Sequence, residues 1–469
     1  MADTPEDEAL TASHGVVLRA KNGDVIRYDP TGLVLRLSDK VVEDLALRLP
    51  ERGVAAPAIA RNVEATDPPE GVDGWNARRD GDWIRFTARL RGAQGTRDFR
   101  QHIDGGDIIA DTNGPVLGIL GIGGARAALA NQGGADFPHH IVAPADDIGA
   151  VGHAGVEAAA KTDRLEHLRE MTHEALVAQT VLHWRMADYG PLPLFFTRVE
   201  TDGAATAADL ATGRAVENLL INAANLKASA DLMGKKAKVL CVSLDFALED
   251  HSATATDYRD GMLATMEAIS AGLWSLGFDR PLFVSRFESG LPDVAPQPAL
   301  DGQWELSWNH GDHRLIHSAP AYMFDLDTYD RPTEAARIQQ AEMTAHAIAN
   351  AATWKCPTLH LAELEGKTLR VTARASGPLT LDSAEGFGLT GCENGAQITD
   401  IAIAKDDPQA ILLNLDKVPE GAGLRLAYAC AGQPRGYLRD DWSDDSTTGV
   451  ILHRYALPAH LPVTGGRHA

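Results

Sequence analysis

The chain has 469 residues, of which 44% are hydrophobic and 23% charged, and its 43 Lys and Arg against 65 Asp and Glu give a formal net charge of −22. This length predicts two or three domains, and the composition is that of globular proteins. So acidic a surface repels phosphate backbones, and no apolar run reaches the roughly 18 residues that cross a bilayer, so we expect neither nucleic acid nor membrane as a partner.

The first 112 residues predict a tail and a β-rich domain. Residues 1–13 are acidic and lack hydrophobic periodicity, so we expect a flexible tail there. The start, MADTPEDEAL, has no basic and apolar regions of a secretory signal, which predicts folding in the cytoplasm. Residues 14–112 contain short alternating runs such as GVVLRA, DVIRY and DWIRFTARL between turn sequences, and we predict a β-rich domain over them.

Residues 113–355 change to alternating strands and helices. PVLGILGIGG is an apolar run that ends in glycines, as a buried parallel strand does where it enters a turn. Later strands are predicted at PLPLFFTRVE, AKVLCVSLDF, RPLFVSRFE and SAPAYMFDLD, and helices within 153–187, 213–236, 256–277 and 334–352. This alternation predicts an α/β domain with a parallel sheet between helices.

Residues 356–469 return to strands only, at short spacing and with glycine-rich turns, as in KTLRVTARA, GPLTLDS and AILLNLD. This pattern predicts a C-terminal β-sandwich, jelly-roll-like in its strand spacing. The four cysteines, Cys241, Cys356, Cys392 and Cys430, form no CxxC pair, which predicts reduced thiols and neither a zinc site nor a redox motif. We expect no cofactor and no metal.

Three segments of the α/β domain carry a family resemblance. VLGILGIGGARAALA, CVSLDFALEDHSATATDY and DTYDRPTEAARIQQAE follow one another in that order. The order resembles the SGNH (GDSL) esterase family, in particular its sialate O-acetylesterase-like branch, where these places hold a serine turn, a QGE-x-D motif and a DG-x-H-x-T motif. The resemblance implies an SGNH-hydrolase-like, three-layer α/β/α fold.

The resemblance also implies that the catalytic serine and histidine are missing. The segment 114–151 has no serine, so Gly123 and Gly124 stand at the nucleophile turn, and either Asp330 or Arg331, depending on register, stands at the histidine. Glycine offers no nucleophile, and arginine is no general base near neutral pH. We therefore expect a degenerate esterase site rather than an active enzyme. The alternative is that a remote serine, in particular Ser243 or Ser252, is recruited.

Four residues are predicted to bind a ligand. The resemblance places Asp250 at the retained acid of the middle motif and, depending on register, either Asp327 or Thr328 at the acidic partner of the histidine. Tyr437 and Trp442 lie close in sequence beside acids and hydroxyls, and aromatic faces stack on sugar rings. These four residues predict a carbohydrate-binding surface, unless the two aromatic residues belong to the core.

Two further clusters contain residue types that are found in metal sites and catalytic sites. His310, His313 and His317 have a spacing that suits a metal site on a helix, but their glycine and proline neighbours predict a loop. Asp245 and Glu249, with Asp250, end a predicted strand, and two carboxylates there suit acid/base work at a glycosidic bond or form a solvated loop edge.

The closing stretches YLRDD (437–441) and LHRYALP (452–458) resemble the β-domain that follows SGNH domains in phage and gene-transfer-agent proteins. The resemblance implies a head spike or fibre on the virion surface that binds host surface or capsular polysaccharide. Its N-terminal domain would anchor it to a capsid or other particle protein, within a homo- or hetero-oligomer. The alternatives are an active carbohydrate O-acetylesterase acting on acetylated capsule, a structural particle component without a ligand, and an intracellular hydrolase.

Overall fold

A computed structural model of the chain describes residues 64–465, apart from 248, 249, 251, 253, 289–296, 432 and 434, together with three short strands nearer the amino terminus. The predicted tail over 1–13 and residue Glu249 of the predicted acid group therefore lie outside the described residues. The described residues form two compact units that divide after Asp104, which precedes the predicted boundary at 112/113.

The described elements of the first unit are all strands. They are β1 (Val17–Arg19), β2 (Val25–Asp29), β3 (Gly32–Arg36), β4 (Glu64–Ala65), β5 (Gly74–Asp80), β6 (Trp83–Ala88) and β7 (Arg97–His102). β1 to β3 form one antiparallel sheet, and β4 to β7 pair antiparallel in another. Side chains alternate across a strand, so Phe86 of β6 meets its register partner Phe99 of β7, with ring centroids 5.9 Å apart.

The second unit begins with a largely parallel sheet. After the short strand β8 (Ile109–Ala110), its strands are β9 (Val116–Gly123), β10 (Ile141–Pro144), β11 (Leu165–His167), β12 (Leu194–Thr201), β13 (Ala237–Asp245), β14 (Leu282–Phe287) and β15 (Arg314–Pro320). Their order is β11-β10-β12-β9-β13-β14-β15, and all pairs except β10 with β11 are parallel. Five neighbouring strands, β12-β9-β13-β14-β15, follow the doubly wound order 2-1-3-4-5, so the α/β prediction is confirmed.

Helices cover both faces of this sheet. They are α1 (His173–Ala187), α2 (Ala207–Leu210), α3 (Arg214–Leu232), α4 (Ala255–Ser275), α5 (Gln297–Leu306) and α6 (Glu334–Ala349). Because side chains alternate along a strand, Gly118 and Gly121 of β9 face opposite sides: a Cβ on Gly118 would meet Leu226 of α3, and one on Gly121 would meet Glu174 of α1. Of the described helices, none has the length and hydrophobicity needed to cross a lipid bilayer.

The predicted helix over 153–187 is wrong in its first half, where the structure has turns and the strand β11. Two asparagines of α3 hold this segment in an extended form. The backbone N–H of Ala159 donates to Asn218 Oδ1 at 2.8 Å, and that of Thr162 donates to Asn225 Oδ1 at 3.0 Å. The alanine-rich sequence favours a helix locally, but the asparagine side chains supply the hydrogen bonds that a helix would have made internally.

The C-terminal part of the second unit is built from strands. They are β16 (Thr358–Glu365), β17 (Thr368–Arg374), β18 (Leu379–Leu381), β19 (Phe387–Thr390), β20 (Ile398–Ile403), β21 (Ala410–Leu415), β22 (Arg425–Tyr428), β23 (Leu438–Asp445), β24 (Ile451–Tyr455) and β25 (Ala459–Gly465). A seven-stranded sheet has the order β19-β22-β25-β16-β17-β21-β20, and β18, β23 and β24 form a smaller one. Leu379 and Leu438 of the small sheet share one core with Leu369 and Leu461 of the large sheet. The jelly-roll topology stays a prediction.

Candidate functional site

A cleft of about 320 Å³ lies at the carboxyl ends of β9, β13, β14 and β15. The chain leaves β9 toward β10 and β12 on one side and leaves β13 toward β14 on the other, so this edge is the switch point of the sheet. In open α/β sheets, ligands bind at this point because the two connections diverge and leave a crevice between them. The fold therefore marks the cleft as the candidate site.

Charged side chains at the ends of β13 and β14 form the floor of the cleft. Arg286 Nη2 donates to Asp245 Oδ2 and lies 4.0 Å from Glu288 Oε1, while Arg286 Nη1 donates to Gln340 of α6. Burial, and then the charge of Asp245, raise the pKa of Glu288 well above its usual range. With its pKa raised, Glu288 keeps its proton to a higher pH and can donate, while the oxygens of Asp245, which contacts Arg286, can accept.

Two further titratable groups lie at the start of α1. Glu174 is only 2% exposed, and burial raises its pKa to about 7. His173 lines the cleft, and burial, followed by the charge of Arg286, lowers the pKa of its ring to about 3. Its Nε2 is 3.1 Å from the hydroxyl of Thr344, so the ring is a neutral hydrogen-bonding partner near neutral pH.

The turn after β9 is the predicted nucleophile turn, and the structure places it against the end of β13. A Cβ on Gly123 would lie 2.2 Å from the carbonyl oxygen of Asp245, so only glycine fits there. The N–H of Gly124 donates to that same oxygen at 3.0 Å. Beyond the turn, Arg126 donates from Nη1 to the backbone oxygen of Asp330 at 2.7 Å. The turn thus presents an arginine to the cleft.

The loop before α6 carries the predicted histidine position. The carboxylate of Asp327 accepts the backbone N–H groups of Tyr329 at 2.8 Å and of Arg331 at 3.0 Å, and these bonds lower the pKa of Asp327. The guanidinium of Arg331 lies over the exposed ring of Tyr329, 5.3 Å from its centroid. Asp330 has a left-handed φ of 57° and reaches the cleft region through its backbone oxygen bond to Arg126. Asp327 therefore shapes the loop.

The structure does not bring the four predicted ligand-binding residues together. Asp250 is completely buried, and its carboxylate accepts the N–H of Ala207 at the start of α2 at 2.8 Å. Trp442 is half-buried and packs edge-on against Trp354, with ring centroids 4.8 Å apart. Tyr437 lies half-buried just before β23. Burial of Asp250 alone prevents these side chains from forming one exposed surface.

The remaining sequence candidates also have structural partners. Ser243 is buried in β13 and hydrogen-bonds Glu174, and the hydroxyl of Ser252 donates to Asp250 at 3.0 Å. His317 lies in β15, and the described residues contain no group of three or more His, Cys, Asp or Glu arranged to hold a metal ion. No serine, threonine or cysteine occurs among the described residues that line the cleft.

Sequence reasoning missed most of the charged groups in the cleft. It flagged Asp245 as part of an acid group, but it assigned no role to Arg126, Arg286, Glu288 or Arg337. The signal was present in RFE, where charges end an otherwise apolar strand. Charged residues at the carboxyl end of a buried strand are candidates for a site at that edge of the sheet.

The sequence matches no protein-family profile and no curated protein sequence. Among solved structures, the chain is similar to the crystal structure of XAC1771, described as a novel carbohydrate acetylesterase from Xanthomonas citri. The two share 15% sequence identity with a TM-score of 0.48, over 80% of this chain and 85% of the other. At this level of similarity, nothing about the activity of that enzyme follows for this chain.

Proposed function

We propose that this protein binds a carbohydrate, a host surface or capsular polysaccharide, in the cleft, and that its α/β part is a catalytically degenerate SGNH-like domain. One observation carries the proposal. The resemblance puts the nucleophile turn at Gly123 and Gly124, and Arg126 just after it is hydrogen-bonded to the backbone of the loop where the histidine would stand. A cationic donor therefore lies between the two segments that would carry the reacting groups.

The chemistry of the cleft suits a ligand rich in hydroxyl groups. A sugar hydroxyl both donates and accepts, and the cleft offers guanidinium donors at Arg126 and Arg337 and carboxyl groups at Asp245 and Glu288. Phe324 adds an apolar wall against which a sugar ring could lie. Because Asp245 is already paired with Arg286, these groups are held in place before a ligand arrives.

Ester hydrolysis would need groups that the described lining of the cleft does not supply. An acyl transfer begins with a hydroxyl or thiol activated by a neighbouring base. His173 is a neutral ring whose Nε2 already contacts the hydroxyl of Thr344, and the described lining residues include no serine, threonine or cysteine. The proposal is therefore binding without turnover. An active O-acetylesterase is the alternative that the experiment below must separate.

The proposal extends to the setting of the protein as a spike or fibre on the surface of a phage or gene transfer agent. Its support is the sequence resemblance of the YLRDD and LHRYALP stretches. The N-terminal β-rich part would attach the protein to the particle as part of an oligomer. Immunogold labelling of purified particles tests this extension, and particles without label would contradict it while leaving carbohydrate binding to be judged separately.

Binding to purified capsular polysaccharide tests the cleft directly. Arg126→Gln should weaken binding about tenfold or more, because a hydrogen bond from a charged donor contributes about 1.5–3 kcal/mol. Arg331→Gln is the matched control: it removes the same charge from the adjacent loop, where Arg331 lies over Tyr329, and binding should not change. Equal affinity of both variants with the unaltered protein would contradict the cleft assignment. Release of acetate that is lost on replacing a single serine would establish the esterase instead.

A further inference from the structure

A second cavity lies in the same unit and shares no lining residue with the cleft. It has a volume of about 260 Å³ and lies among the end of α5, the strand β15, the segment that leads into β16, and the end of β17. The residues that matter for its chemistry are Trp308, His310, His317, Lys355, His360 and Arg374. We call it the basic cavity.

The charge of the basic cavity is opposite to that of the chain. Lys355 and Arg374 line it together with three histidines, and no aspartate or glutamate is among its described lining residues. The whole chain carries a net charge of −22, so a pocket without an acid is unusual for it. Within the part of the chain that the structure describes, neither cation is ion-paired, whereas Arg370, on the same strand as Arg374, is paired with Asp406 at 2.9 Å. The two cations are therefore available to a ligand.

An independent observation comes from the histidines of this cavity. His317 lines it and is only 7% exposed, yet neither nitrogen of its ring has a hydrogen-bond partner among the residues that the structure describes. Within the same described residues, the buried Nδ1 of His310 has none either. Buried polar atoms in folded proteins nearly always have a hydrogen-bond partner, since leaving one without costs about 1–3 kcal/mol. A guest in the cavity would supply it.

We propose that the basic cavity binds a small oxyanion, held by Lys355 and Arg374 and by the ring of His317. A metal cation would be repelled by the two fixed positive charges, and the described residues offer no cluster of metal ligands here. An oxyanion instead accepts hydrogen bonds from ammonium, guanidinium and imidazole N–H groups. Carboxylate, phosphate and sulfate share this chemistry.

One feature bears on the source of the anion, and another provides a way to detect its binding. The ring of Trp308, 47% exposed, stands at the rim, where it could lie against a sugar that carries a carboxylate. Burial, and then the charges of Arg374 and Lys355, lower the pKa of His360, which also lines the cavity, to about 4. A bound anion would oppose these charges, so the pKa of His360 should rise when the cavity is filled.

Titration of the full chain at constant ionic strength tests the proposal, with sodium sulfate, inorganic phosphate, sodium glucuronate and glucose as probes. Saturable binding of the anions but not of glucose is expected, together with an upward shift of the His360 pKa in histidine NMR spectra. Tighter binding of glucuronate than of sulfate identifies an acidic sugar as the source, and the reverse order identifies a free inorganic anion.

Arg374→Gln, alone and with Lys355→Gln, should weaken anion binding at least tenfold; both positions are exposed, so folding should be preserved. Arg370→Gln removes an equal charge four residues earlier on β17, where it is already paired, and should leave binding unchanged. Absence of saturable binding for every anion, or equal affinity in the Arg374→Gln protein, would overturn the proposal. Arg126→Gln should leave anion binding in the basic cavity unchanged. A failure of the cleft proposal can therefore be distinguished from a failure of this one.

Discussion

At the scale of single residues, the cleft is built around buried carboxyl groups whose protonation differs from that of exposed acids. Burial raises the pKa of Glu174 to about 7, and burial with the nearby Asp245 raises that of Glu288 as well. Asp245 contacts the guanidinium of Arg286. An acid that keeps its proton can donate a hydrogen bond beside the accepting oxygens of Asp245, so one small site holds donors and acceptors together.

The raised pKa of Glu174 predicts how stability depends on pH. The unfolded chain releases this proton near pH 4.5, but the folded chain keeps it until about pH 7, so this residue's contribution is fully present below pH 4.5 and declines as the pH rises to 7. Glu174→Gln should remove the decline, which is on the order of 3 kcal/mol. Chemical denaturation at pH 4.5 to 8 measures it.

Glu217→Gln is the matched control for Glu174→Gln. Glu217 also stands in the first turn of a helix, but its side chain is 56% exposed and paired with Arg214. The control protein should keep the pH dependence of the unaltered chain. If the Glu174→Gln protein shows that same dependence, Glu174 is ionised in the folded state throughout the range, and the assignment of a buried, protonated acid is wrong.

Only part of this site could be predicted from sequence. Asp245 stood out because it follows a run of apolar strand residues, and the same reasoning applied to RFE would have found Arg286 and Glu288. Their mutual contact could not be predicted, because it depends on β13 and β14 being neighbours in the sheet. That the turn after β9 contains no serine was visible in the sequence, but the contact of Arg126 with Asp330 was not, since the two residues are distant in sequence.

At the scale of elements, the long helices α3, α4 and α6 were predicted, whereas the extended segment before α1 was not. Thr254 and Asp257 form a capping box at the start of α4, and Thr333 caps α6. Both helices were predicted from their apolar periodicity. The segment 153–172 failed because its backbone bonds to side chains of α3, an interaction between elements that leaves no pattern in the segment itself.

Asn225 provides a test of that account. Its side chain accepts the N–H of Thr162 at 3.0 Å and donates to the backbone oxygen of Ala160 at 2.9 Å. Asn225→Ala should leave both backbone groups without a partner and lower the free energy of unfolding by about 1–3 kcal/mol. Amide exchange should accelerate at Thr162, while amides in the middle of α3 should keep their protection.

The control for this prediction is Asp231→Ala, an exposed position on the same helix, which should change stability by no more than about 0.5 kcal/mol. If Asn225→Ala behaved like Asp231→Ala in both stability and exchange, the extended segment would not depend on the asparagine contacts. Another interaction would then have to explain why the segment is extended despite its local preference for a helix.

At the scale of the whole molecule, the parallel sheet and the C-terminal strands belong to the same compact unit, Gly105–Ala469. The buried hydroxyl of Tyr322, which follows β15, donates to the backbone oxygen of Ala456 at 2.6 Å and lies 3.1 Å from the hydroxyl of Tyr428. Arg435, from the loop before β23, is also part of the cleft wall. The C-terminal strands therefore help to form the site on the parallel sheet.

Glu342 of α6 allows a test of whether the α/β part and the C-terminal sheets unfold together. Its carboxyl group accepts the N–H of Thr447 at 2.9 Å and the hydroxyls of Thr447 and Ser446, all in the turn between β23 and β24. Glu342→Ala should therefore lower the stability of the α/β part and the C-terminal sheets together, by about 2–3 kcal/mol, because three hydrogen bonds are lost. Hydrogen exchange in denaturant, followed separately at β13 and at β21, measures both parts, and the two midpoints should coincide before and after the change.

Glu334→Gln, exposed on the same helix, is the control and should move neither midpoint. If only the C-terminal strands lost protection in the Glu342→Ala protein, they would fold as a domain of their own, and the boundary predicted at 355/356 would be a true domain boundary.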